Sequence, residues 1–172
     1  DFFSALGTPA AAGRTLQPAD DELGKATTVV LSHKLWQRRF GGDSKVIGRS
    51  VSLGGQPLTV VGVMPAGFEF PRGSEMPNGF GFAAEPDVWM PNGLSPKDRQ
   101  DHDNHSYAGI GRLRPGVPLA RARREMELLS GHLRQGSAQA GWTAVVASLE
   151  AEVAAPLRPA LLVLLAGGGL LL

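Results

Sequence analysis

The residues most able to do chemistry lie in one short run, Asp101-His102-Asp103-Asn104-His105. Two histidines three apart, flanked by carboxylates, would bind zinc if a helix placed them on one face. The run sits between Pro96 and Tyr107 in a polar stretch that reads as a loop with one helical turn, and no HExxH pattern supplies a general base beside the pair. Solvated loop residues are therefore the favoured reading of Asp101, His102, Asp103 and His105. His33 and His132 fall on separate helices. No GxSxG elbow occurs, and Ser130 and His132, two apart on a helix, do not face each other and read as surface. The run GRSVSLGG lacks the lysine and the strand-loop-helix context of a phosphate cradle. Asp20, Asp21 and Glu22 read as a solvated acidic turn. Trp36, Trp89 and Trp142 read as core or interface anchors, because no basic groove accompanies them. No catalytic, cofactor-binding or metal-ligating residue is assigned, and no cofactor is expected.

The elements that would carry these residues follow from pattern. DFFSAL closes a helix at Gly7, with Pro9 beyond it. Gly13 to Lys25 reads as an exposed loop. The β-branched run Thr27 to Ser32 is a buried strand, and Ser32 caps a helix HKLWQRRF in which Leu35, Trp36 and Phe40 share a face. Gly41-Gly42 stops it. Val51 and Leu53, the Gly54-Gly55 turn and LTVVGV make a β-hairpin that Pro65 ends. Ala66 to Glu85 is aperiodic and packs Phe68, Phe70, Phe80 and Phe82; Asp87 to Pro91 is a short strand. Tyr107 to Leu113 reads as a strand, Arg114-Pro115-Gly116 as a turn, and Val117 to Gln135 as a helix with the apolar set Leu119, Ala122, Met126, Leu129 and Leu133. Thr143 to Val153 alternates as a strand, completing a β-α-β order.

The final run, Pro159 to Leu172, has no charged or hydrogen-bonding side chain. It reads as an interrupted membrane helix, since a full crossing takes about 20 apolar residues. Arg158 before it suits the interface. The net charge of +1 offers no nucleic-acid footprint, and the absence of Cys excludes disulfides and thiol chemistry. With 23 Gly and 13 Pro, turns and short elements are expected to dominate.

In combination, DFFSALGTPAAAGR, VVLSHKLWQRRFGGDSKVIGRSVSLGGQPLTVVGVMPAGFEFP, DVWMP, HSYAGIGRLRPGVPLARARREM and LRPALLVLLAGGGLLL resemble the MacB-like periplasmic core domain of bacterial ABC transporter permeases, followed by the start of the FtsX-like membrane part. The resemblance implies an α+β fold: mixed small sheets, a porter-like β-α-β unit, an inserted β-rich subdomain and a truncated C-terminal transmembrane helix. It implies an N-terminally truncated core domain over 1–155 and the start of a membrane helix over 157–172. The implied role is a non-catalytic extracytoplasmic module that couples ATP-driven helix motion to efflux or mechanotransmission at the bacterial inner membrane. Implied partners are a second permease copy in a homodimer, a cytoplasmic ABC ATPase, a periplasmic adaptor and the lipid bilayer, with no nucleic acid. Two alternatives stand beside it: a membrane-tethered metal-dependent hydrolase using His102 and His105, and a periplasmic ligand-binding domain with an aromatic pocket around Phe68 to Phe82.

Overall fold

The computed structural model describes residues 2–22, 24, 26–71, 85–100, 108–134 and 144–154. The chain divides into two compact units, Asp1–Arg112 and Leu113–Leu172.

The first unit is built on β4 (Gln56–Val63), the longest strand. Its eight residues carry Leu58, Val60, Val61 and Val63, side chains that suit a pleated, two-sided core. Along one edge it pairs in parallel with β2 (Thr28–Leu31), the buried strand expected from its β-branched run. Two strands share its other edge end to end. β3 (Ser50–Leu53) covers the first half as an antiparallel hairpin, and β1 (Ala12–Gly13) covers Gly62 and Val63. β5 (Val88–Trp89) lies antiparallel on the far side of β2. These five strands form one mixed sheet of order β1-β4-β2-β5, with β3 also paired to β4. The hairpin is thus part of the central sheet and not of a separate inserted subdomain, and the several small sheets expected are a single one among the described residues.

A bulge sets which side chains face which way. Val29 stands opposite Val60, but Val30 stands opposite Gly62, so Val61 is the extra residue. The slip lets Leu58, Val60 and Val63 join one apolar cluster with Val29, Leu31 and Val46, while Val61 and Met64 turn to the other with Val30, Phe3 and Trp89. The first cluster is covered by α2 (His33–Phe40), which contributes Leu35, Trp36 and Phe40. Ser32 Oγ accepts the Leu35 N–H at 3.0 Å, and Gly41, at φ 60°, closes the helix by donating to the Gln37 carbonyl. The second cluster is covered by α1 (Phe2–Leu6), closed at Gly7 as its sequence requires. The acidic stretch differs from the solvated turn expected: Pro18–Asp21 is a 3-10 helix, and Asp20 is buried. α3 (Pro96–Gln100) is the expected single helical turn, capped reciprocally by Ser95 and Asp98.

In the second unit α4 (Leu119–Arg134) follows the turn at Arg114-Pro115-Gly116, as expected. Of its apolar set, Leu119 and Ala122 are half-buried, and Met126 and Leu129 are exposed. Both strands expected around it are corrected. Residues 108–113 form no strand, and Ala144 to Ser148 are irregular before α5 (Leu149–Ala154). LEAEVA is made of strong helix formers with glutamates in the first turn, and the Ser148 carbonyl accepts the Glu152 N–H; propensity and dipole outweigh the alternation. The β-α-β unit is therefore absent among the described residues, and the fold is mixed α/β with one sheet and five helices. Among the described residues no helix is long and apolar enough to cross a membrane. The membrane helix expected over 157–172 lies outside them.

Candidate functional site

Three constellations in the first unit bring polar or aromatic groups together. The first is aromatic. Phe3 is 2 % exposed and meets Trp89 edge-on at 5.9 Å and Phe68 at the same distance, while Phe2 stacks on Phe70 at 6.0 Å. Trp89 Nε1 donates to the Phe70 carbonyl at 3.1 Å, which satisfies the indole N–H that burial would otherwise leave unpaired. Phe68 and Trp89 are themselves 5.3 Å apart. The aromatics expected to line a pocket instead fill space between α1 and the sheet; Phe80 and Phe82 lie outside the described residues.

The second is a set of ion pairs between α2 and residues 69, 85 and 87. Lys34 Nζ reaches Glu69 and Glu85, each at 2.7 Å, and Arg38 reaches Asp87 at 2.9 Å. Hydrogen bonds to Glu69 and then Glu85 raise the Lys34 pKa. α2 places both cations one turn apart on the face away from Leu35 and Trp36, so one helix holds both Glu69 and the Glu85–Asp87 segment. The cleft lined by Ser32, His33, Lys34, Phe68, Glu69 and Asp87 has a volume of about 20 Å³. That admits a water molecule and little more.

The third is the Arg14–Asp20 pair. Arg14 donates from Nη1 to Oδ2 at 2.6 Å and from Nη2 to Oδ1 at 2.8 Å, and the Gln17 N–H adds a bond to Oδ2 at 2.7 Å. The Arg14 hydrogen bonds hold the Asp20 carboxyl below the ordinary range, against burial, which pushes it up; the Gln17 N–H works with Arg14. Asp21 carries a different tie, accepting the Gly93 N–H at 2.8 Å. Sequence reasoning missed both. A signal existed in the PADD run, where Pro starts a helical turn and the first acid after it, Asp20, can reach back to the Gln17 N–H.

The other residues weighed for chemistry are dispersed. His33 starts α2 and packs edge-on against Trp36 at 5.4 Å. Trp36 Nε1 donates to the Asp43 carbonyl, and Trp89 is core, as expected of anchors. Ser130 corrects the surface reading: it is buried, donates to the Met126 carbonyl at 2.7 Å and accepts the Ala144 N–H at 3.1 Å, whereas His132 is exposed. Asp101, His102, Asp103, Asn104, His105 and Trp142 lie outside the described residues. Among the described residues no three His, Cys, Asp or Glu side chains are grouped to hold a metal ion.

None of these constellations converges on a reacting atom; they fasten α1 to the sheet, Glu69, Glu85 and Asp87 to α2, and Arg14 to the 3-10 turn at Asp20. The model of the family described as the MacB-like periplasmic core domain matches residues 1–129. The chain belongs to that family. Among solved structures, the periplasmic region of MacB from Actinobacillus actinomycetemcomitans is similar with 16% identity and a TM-score of 0.48, over 78% of this chain and 53% of that one. A domain assigned to a permease protein from Porphyromonas gingivalis is similar with 21% identity and a TM-score of 0.41, over 76% of this chain and 55% of that one. The chain spans about half the length of these solved chains. No curated protein matches it.

Proposed function

We propose that the chain is the extracytoplasmic core domain of an ABC transporter permease of the bacterial inner membrane, non-catalytic itself, which passes ATP-driven motion of membrane helices to the periplasmic side. The observation that carries this reading is the family match over residues 1–129. In this reading the core domain covers 1–155 and a membrane helix begins at 157–172. The permease works as a homodimer with a cytoplasmic ATPase and a periplasmic adaptor, and the apolar C-terminal run meets the bilayer. Force arriving at α1 reaches the sheet through Phe3, which is locked between Phe68 and Trp89. A rigid, close-packed seat transmits displacement where a loose one would absorb it.

The test uses the full-length permease reconstituted with its ATPase, carrying a spin label on a cysteine introduced at Ser52. The label is expected to report movement when nucleotide binds. Phe3→Ala, at a cost of about 3–5 kcal/mol, should loosen α1 and remove that response while ATP hydrolysis continues. A wild-type label that ignores nucleotide would sink the coupling, and a domain that protease reaches only from the cytoplasmic side would sink the placement.

A further inference from the structure

α1 ends with no basic residue of its own in the last turn. The Phe3 and Ser4 carbonyls accept the Thr8 and Gly7 N–H groups, and the end remains the negative pole of the peptide dipoles, where a matching cation from elsewhere is stabilising. The match comes from far along the chain. Arg112 Nε donates to the Ala5 carbonyl at 2.9 Å across a separation of 107 residues. Gly7 makes room for it: φ there is +71°, and a Cβ would stand 3.0 Å from Arg112 Nη2. The glycine therefore serves two purposes at one point, closing the helix and admitting the guanidinium. Segment 108–112 forms no strand, and among the described residues no other hydrogen bond ties it to the rest of the first unit. Arg112 is also the last residue of that unit, and Leu113 opens the second.

We propose that Arg112 is a latch that ties residues 108–112 to the end of α1, so that the chain leading to Leu113 follows α1 together with the sheet on which α1 is seated. Guanidinium chemistry suits the task. It is charged at every physiological pH and presents several N–H donors in a fixed plane, so it can stay engaged with a helix end as the helix tilts. The contact is exposed, hence weak enough to open and close. Arg112 is a positioning residue, and its purpose rests on the coupling reading above; its existence does not, so the test needs no transport.

The test has two arms on the whole chain, which has no cysteine of its own. In hydrogen exchange, the Gly7 and Thr8 amides, which donate to Ser4 and Phe3 at the end of α1, should exchange about three- to tenfold faster in Arg112→Ala, with Arg112→Lys restoring part of the protection. In the second arm a nitroxide on Ala108→Cys should gain mobility when Arg112→Ala removes the guanidinium. A label on Ser52→Cys should not change, which separates unlatching from unfolding. Unchanged Gly7 and Thr8 exchange in Arg112→Ala, or a label at 108 indifferent to Arg112→Ala while the label at 52 stays fixed, would overturn the latch. Either result would leave the permease reading standing, since that reading rests on the family match and on Phe3.

Discussion

Asp20 is a carboxylate with 8 % of its side chain exposed, held by three hydrogen bonds, two of them from one guanidinium. A buried charge survives only when such partners replace its water, and removing one partner leaves the other stranded. Arg14 keeps 40 % of its side chain in solvent, which softens the loss. Asp20→Asn is therefore expected to cost about 2–3 kcal/mol of stability at neutral pH, measured by denaturant unfolding. The pH dependence follows from the direction of the shift. Because the folded pKa is lowered, the contribution is complete above the unfolded value and is lost as pH falls through the folded one. The gap between wild type and Asp20→Asn should thus be widest near neutrality and narrow below about pH 4. The Lys34 side chain, by contrast, is 56 % exposed where it bonds the half-buried Glu69 and the exposed Glu85, and pairs on so open a cation contribute little. Proximity in sequence could not separate these cases. Asp20, Asp21 and Glu22 look alike as a run, and only the turn that lifts Asp20 towards Arg14 distinguishes it.

Among the elements, β4 shows why some structure was legible and some was not. The Gly54-Gly55 turn with alternating flanks specifies a hairpin by local chemistry alone, and Ser32 with Gly41 brackets α2 in the same way. The bulge at Val61 has no such local mark. It arises from two partners met on opposite edges, β2 and β1, whose registers must both be satisfied. Gly62 is its one trace in the sequence: a Cβ there would stand 2.0 Å from the Arg14 carbonyl oxygen. Gly62→Ala should cost about 3 kcal/mol or more, because backbone blocks the methyl group. Gly54→Ala, at φ +59° with open space around it, should cost about 1–2 kcal/mol for the left-handed backbone alone. Thermal unfolding of the two variants side by side checks the order. The misread strands at 107–113 and 143–153 err for the opposite reason. Short alternation is weak evidence without a partner edge, and in LEAEVA helix propensity was the stronger signal all along.

At the scale of the molecule, apolar burial is unevenly shared. Every buried hydrophobic side chain among the described residues belongs to the first unit. In the second, Met126, Leu128 and Leu129 on α4 are exposed, Leu128 by 61 %, and Ser130 is the buried residue. Local opening is cheap where little apolar surface is hidden. Amides of β2 and β4 should therefore be the slowest to exchange with deuterium, and those of α4 and α5 faster by at least about a hundredfold; equal protection in the two units would contradict this distribution. The family could be read from sequence because its residues lie in an order that short local motifs preserve. A function could not be read from any one site, since the seat of α1 and the ion pairs of Lys34 and Arg38 join partners far apart along the chain, and the Arg14–Asp20 pair depends on the turn between its two residues.

The open tip of the β3–β4 hairpin has a practical side. Neither Gly54 nor Gly55 has an atom within 4 Å of where a Cβ would be. The strands behind the tip are held by their own ladder, so extra sequence spliced between the two glycines adds only the slowly growing entropy of closing a longer loop. The domain thus carries a ready-made port on its surface, where an epitope, a fluorophore or a whole guest protein can be housed with the sheet left as it is.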